Sequence, residues 1–94
     1  MASRREAIDG LLEELTDARA WPEQFREMLA EGSDILEQVG EADEKIRALE
    51  ERARRLVREL GNDLGCGHPQ TTRVFRAMAD MLIDWYAFRD GLEY

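Results

Sequence analysis

Residues 35–60 read ILEQVGEADEKIRALEERARRLVREL. The apolar positions Ile35, Val39, Ala42, Ile46, Leu49, Ala53, Leu56 and Leu60 follow one another at spacings of 4, 3, 4, 3, 4, 3 and 4. That alternation is a heptad seam, which keeps every apolar side chain on one stripe of a long helix. Leu36 and Val57 stand beside it at e-type positions and widen it into the three-in-seven stripe of a bundle helix. Gly40 falls on a solvent-side position. A stripe of this width favours packing on other helices of the same chain; a two-chain coiled coil is the alternative. For that alternative the flanking charges leave the orientation open. Glu41, Asp43 and Glu44 make the first half acidic, and Arg52, Arg54, Arg55 and Arg58 make the second half basic, which suits an antiparallel pair. Yet that pairing sets Asp43 near Glu50 and Lys45 near Arg52, whereas a parallel pair sets Lys45 near Glu50.

On either side of this stretch the chain also reads as helix. Ser3 and Glu6 form a capping box, in which each side chain can satisfy the other's backbone N–H. Ile8, Leu11, Leu12 and Leu15 follow at helical spacing. Pro22 suits a first helical position better than a helix interior, which places a break at Ala20-Trp21. Phe25, Met28 and Leu29 open the next helical region, and Gly32-Ser33 reads as a stop followed by a new N-cap, a candidate kink. Gly61 to Pro69, with three glycines and a terminal proline, is the clearest loop. Thr71 or Thr72 then caps a last helix. The expected fold is all-α: a small antiparallel helical bundle or long helical hairpin with a heptad-patterned middle helix. Residues 1–94 form a single domain, with helices at about 3–20, 22–60 (kink at 32–33) and 71–91, and a loop at 61–70.

Ninety-four residues bury only a thin core, so a partner or a second copy would add much to stability. The single cysteine, Cys66, has no internal disulfide partner, which suits a reducing compartment. No apolar run approaches a membrane span, and the first residues lack a signal-peptide pattern, so the expected location is cytoplasmic. Of the net charge of −8, the segment Glu6–Glu44 carries thirteen carboxylates against Arg19 and Arg26, or −11. Nucleic acid and anionic membranes are poor partners for such a surface.

The last helix is apolar around most of its circumference. Val74, Met78, Met81, Trp85, Phe88 and Leu92 again run 4, 3, 4, 3, 4, while Arg76, Asp80 and Asp84 form one narrow polar strip in which Arg76 can pair with Asp80. A helix that is apolar nearly all round is buried nearly all round, and two other helices cover only part of it. The expectation is self-association, as a homodimer, through Val74, Met78, Met81, Leu82, Trp85, Tyr86 and Phe88. Cover within one chain by Trp21, Phe25 and the long helix is the bland alternative.

The function these features imply is non-catalytic protein–protein interaction. Its rival is an acidic inhibitor or nucleic-acid mimic that blocks the basic groove of a nucleic-acid-handling enzyme, of the phage anti-defence type. That reading presents Glu13, Glu14, Asp17, Glu23, Glu27, Glu31, Glu37, Glu41 and Glu44 to a basic protein partner. Cys66 and His68 supply two of the four ligands of a structural zinc site, and the chain has no other Cys or His. As a nucleophile pair they lack a third orienting group. Arg52 to Arg58, the glycine loop and Gln70 to Arg73 faintly resemble a helix-turn-helix reader, against which stand the net charge and the long loop. No catalytic residue, metal or cofactor is expected.

Overall fold

The computed structural model describes residues Ser3 to Leu92, and these are helical almost throughout. Helix α1 spans Arg4–Arg19, α2 Trp21–Ala30, α3 Leu36–Leu64 and α4 Pro69–Asp90. Helices α1, α3 and α4 pack against one another, confirming the all-α bundle, and α2 lies on α4 at one end. Directions follow from the cross-helix contacts. Asp43 near the start of α3 meets Trp85 and Arg89 near the end of α4, and Val57 further along α3 shares a groove with Phe75 near the start of α4, so these two helices are antiparallel. Arg4 pairs with Asp63 and Glu14 with Arg52, which makes α1 antiparallel to α3 as well.

Local chemistry explains each boundary. Ser3 Oγ accepts from the Glu6 N–H at 3.2 Å, the first half of the capping box. Pro22 occupies the second position of α2, and one residue, Ala20, separates it from α1. The break at Gly32 is a full stop and not a kink. Gly32 adopts φ +86°, and the Ser33 and Gly32 N–H groups reach back to the Met28 and Leu29 carbonyls at 3.0 Å each. That pair of bonds is a Schellman closure, which ends α2 completely. Asp34, and not Ser33, then supplies the side-chain acceptor for α3, taking the Leu36 N–H at 3.2 Å.

The expected loop at 61–70 is shorter than its composition suggests. Leu64 lies one turn beyond Leu60, in the e column with Val57, and packs against the core, so α3 continues through Gly61 and stops at Gly65, φ +98°. His68, and not a threonine, is the N-cap of α4: its Nδ1 accepts from the Gln70 N–H at 3.1 Å, with Pro69 as the first helical residue. Thr71 is instead buried, its hydroxyl donating to the Gly65 carbonyl at 3.1 Å.

The heptad seam faces the chain's own helices. Ile35, Val39, Ala42, Ile46, Leu49, Ala53 and Leu60 are buried in one cluster with the apolar faces of α1 and α4. The e column faces α4, and the g column, through Arg52 and Lys45, faces α1 and α2. Leu36 departs from this: it is 65% exposed, because it begins α3 beyond the last turn of α4.

Trp85 is 0% exposed and is enclosed by Phe25 and Phe88, at centroid distances of 6.0 and 5.6 Å. Its indole N–H donates to Asp43 Oδ1 at 3.0 Å; Arg89 donates to the same oxygen at 3.0 Å and Arg47 pairs with Oδ2 at 3.1 Å. Burial pushes the Asp43 carboxyl up, but the indole N–H and the two guanidinium charges outweigh it and hold the group below its ordinary value of 3.8. Asp43→Ala should therefore lower the unfolding free energy by about 2–3 kcal/mol in urea titrations, since it strands a buried donor. A carboxyl held low when folded binds fewer protons folded than unfolded. Its contribution is complete above pH 3.8 and is lost as the pH falls through the folded-state value. Asp43→Asn should flatten that acid limb of the stability curve.

Candidate interaction surfaces

Five of the seven residues expected to meet a second copy lie inside the chain's own core. Val74, Met78, Met81, Trp85 and Phe88 are all buried, and Leu82 and Tyr86 are half-buried. The physical reason is the seam itself. A 4-3 apolar repeat is the stripe a helix turns toward its nearest neighbours, and here α1, α2 and α3 supply them. Phe25 of α2 stacks on Phe88 at 5.9 Å and meets Trp85 edge-on, so the short second helix gives cover that two helices alone could not.

The apolar residues of α4 that lie off the seam have a different fate. Phe75 is 53% exposed and Ile83 65% exposed. With half-buried Ala79, Leu82 and Tyr86 they make one ridge, spaced as a helical face at 75, 79, 82, 83 and 86. On the α3 side the ridge meets Arg54, Val57 and Arg58, which with Phe75 and Met78 line a shallow groove of ≈ 250 Å³. Tyr86 lies under the Arg89 guanidinium at 5.6 Å. Nothing in the 4-3 repeat marked this surface; the signal was the set of large apolar residues on α4 that the repeat leaves over.

The polar strip of α4 faces α1. Arg19 donates to Asp84 at 2.9 Å and lies 3.9 Å from Asp80. Asp80 thus pairs across helices and not with Arg76, because α1 brings a guanidinium to the strip that the sequence reading did not place there. Hydrogen bonding to Asp84 raises the Arg19 pKa. Beside the strip runs a groove of ≈ 560 Å³ lined by Leu12, Leu15 and Ala77 together with Arg73 and Arg76.

The nine carboxylates of the acidic surface are all exposed. They do not form a single plane: Glu13, Glu14 and Asp17 stand on α1, Glu23 and Glu27 on α2, Glu31 just after it, and Glu37, Glu41 and Glu44 on α3. Glu14 is tied to Arg52 at 2.7 Å, and that hydrogen bond holds its carboxyl below the ordinary value. Glu14 and Asp17 also share a groove with Lys45 and Arg52, which tempers the negative field there.

Cys66 is exposed, and His68 is engaged as a helix cap. Among the described residues no three His, Cys, Asp or Glu side chains come together as metal ligands, and no helix is long and apolar enough to cross a membrane. Comparison of the chain with protein-family models, curated proteins and solved structures finds no match.

The division between buried seam and exposed ridge has a direct test. Trp85→Gln should cost about 3–5 kcal/mol, the usual loss for emptying a buried aromatic site. The double substitution Phe75→Gln/Ile83→Gln should cost about 1 kcal/mol or less, because both side chains already face water. Urea melts of dilute protein would read both.

Proposed function

We propose that the chain is a non-catalytic interaction protein that self-associates, as a dimer, through the outer face of α4. One observation carries this reading. After α1, α2 and α3 have covered the seam of α4, a continuous ridge of Phe75, Ala79, Leu82, Ile83 and Tyr86 still meets solvent. Large apolar groups gathered on one helix face are uncommon on soluble monomers and concentrate at interfaces, aromatics above all. The interface is therefore assigned to Phe75 and Ile83 with the accessible edges of Leu82 and Tyr86, in place of the buried seam.

A second reading rests on the exposure of all nine carboxylates from Glu13 to Glu44. They offer a basic protein partner a negative surface on α1, α2 and the first half of α3. Salt separates them, since a charge-driven complex weakens steeply as ionic strength rises while an apolar one does not.

Light scattering over a hundredfold dilution series gives the test. Wild type should show a mass above that of the monomer at the upper end, and Ile83→Asp should stay monomeric while keeping its circular dichroism spectrum. A wild-type mass that stays monomeric throughout would overturn the proposal.

A further inference from the structure

The antiparallel pairing of α3 with α4 has an electrostatic consequence. It sets the second half of α3, where four arginines offset four acids, beside the first turns of α4, and the acidic first half of α3 beside the last turns of α4. At one end of this two-helix layer stand Arg58 and Arg76; at the other stand Glu37, Glu44 and Asp90. None of these five takes part in an ion pair among the described residues. The apolar ridge runs between the two ends, so the layer is charged oppositely at its ends and apolar along its middle.

We propose that the occupant of this ridge is a second copy of the chain, laid across it antiparallel about a two-fold axis near Ala79 and Ile83. This rests on the self-association reading and gives it an orientation. Reversal brings Arg58 and Arg76 of one copy to the acidic end of the other, twice over by symmetry. It also sets the two α4 dipoles head to tail, whereas a parallel pair stacks like charge on like charge at both ends. Size fixes how much surface must join. The 22 residues of α4 make a strip about 33 Å by 11 Å, roughly 400 Å². A specific interface needs about 600 Å² or more from each partner. The α3 flank at Arg54, Val57 and Arg58 is therefore part of the footprint, and the contact is layer against layer, not one helix against one helix.

Thr72, Ala79, Ile83 and Asp90 follow at spacings of 7, 4 and 7, a single line along the outer face of α4. In the antiparallel dimer Thr72 of one copy approaches the Ala87–Asp90 turn of the other and is far from its own counterpart. On a Cys66→Ser background, Thr72→Cys and Ala87→Cys should each give little cross-linked dimer alone with a short bismaleimide, and a mixture of the two should cross-link readily. Charge exchange gives an independent reading. Arg76→Glu alone should weaken the dimer roughly tenfold, and Arg76→Glu/Asp90→Arg should recover most of it.

Self-cross-linking of Thr72→Cys with itself would show a parallel dimer and overturn the orientation while leaving self-association standing. A dimer by light scattering that none of these variants cross-links or weakens would place the interface elsewhere and overturn the assignment to α4. A monomer throughout would overturn both this inference and the reading it rests on.

Discussion

A tryptophan sealed from solvent still carries one N–H that must find an acceptor, and in this bundle that requirement locks α3 to α4. The indole of Trp85 is at home among Phe25, Phe88 and the aliphatic core, but leaving its donor unpaired would cost about 1–3 kcal/mol. Asp43 meets that need, and a carboxylate brought to the edge of the core brings its own need for countercharge. Arg89 from α4 and Arg47 from α3 supply it. Four side chains thus satisfy one another only when the two helices sit at one axial offset. Apolar seams tolerate sliding by a heptad; this polar knot does not.

With that offset set, the remaining contacts follow. The seam of α3 meets the 4-3 face of α4, and α1 enters the groove between them, held on one side by Glu14–Arg52 and on the other by Arg19–Asp84. Each of those pairs is exposed enough to contribute little to stability. Their value is in placing α1 so that Ile8, Leu11, Leu12 and Leu15 close the core. Helix α2 then covers the end of α4 with Phe25, which a straight continuation of α1 would carry away from Trp85. Pro22 and the Gly32 stop fix the length and direction of that small cover.

Much of this was legible in the residues. The unbroken repeat from Ile35 to Leu60 identified a long helix and its buried face, and Pro22, Gly32 and the glycine-rich stretch placed the breaks to within a few residues. What misled was composition read without context. Gly61-Asn62 looked like loop, yet Leu60 and Leu64 both pack into the core, and tertiary burial outweighs about 1 kcal/mol of unfavourable helix propensity at a glycine. Thr71 looked like a cap, but a histidine in front of a proline can accept the same backbone donor. Asp43 was harder to find. Its partner could not be read from the residues, because which acid faces a buried indole depends on the axial offset that the interaction itself determines.

The candidate surface follows from the same distinction between repeat and remainder. On α4 the nearly all-round apolarity pointed to an interface, and the expected contact residues were mostly those of the 4-3 repeat, although a repeat of that kind is the mark of a helix fitted to its immediate neighbours. The residues with no place in the repeat, Phe75 and Ile83, add nothing to the monomer's core and leave apolar surface in water, at about 25 cal/mol for each Å² left unburied. The apolar groups that internal packing fails to use are where an external partner gains most. Because α3 and α4 are antiparallel, that same ridge is bordered by cations at one end and anions at the other. In the proposed dimer the apolar ridge supplies the attraction, and the polarity of its ends sets the direction in which the second copy lies.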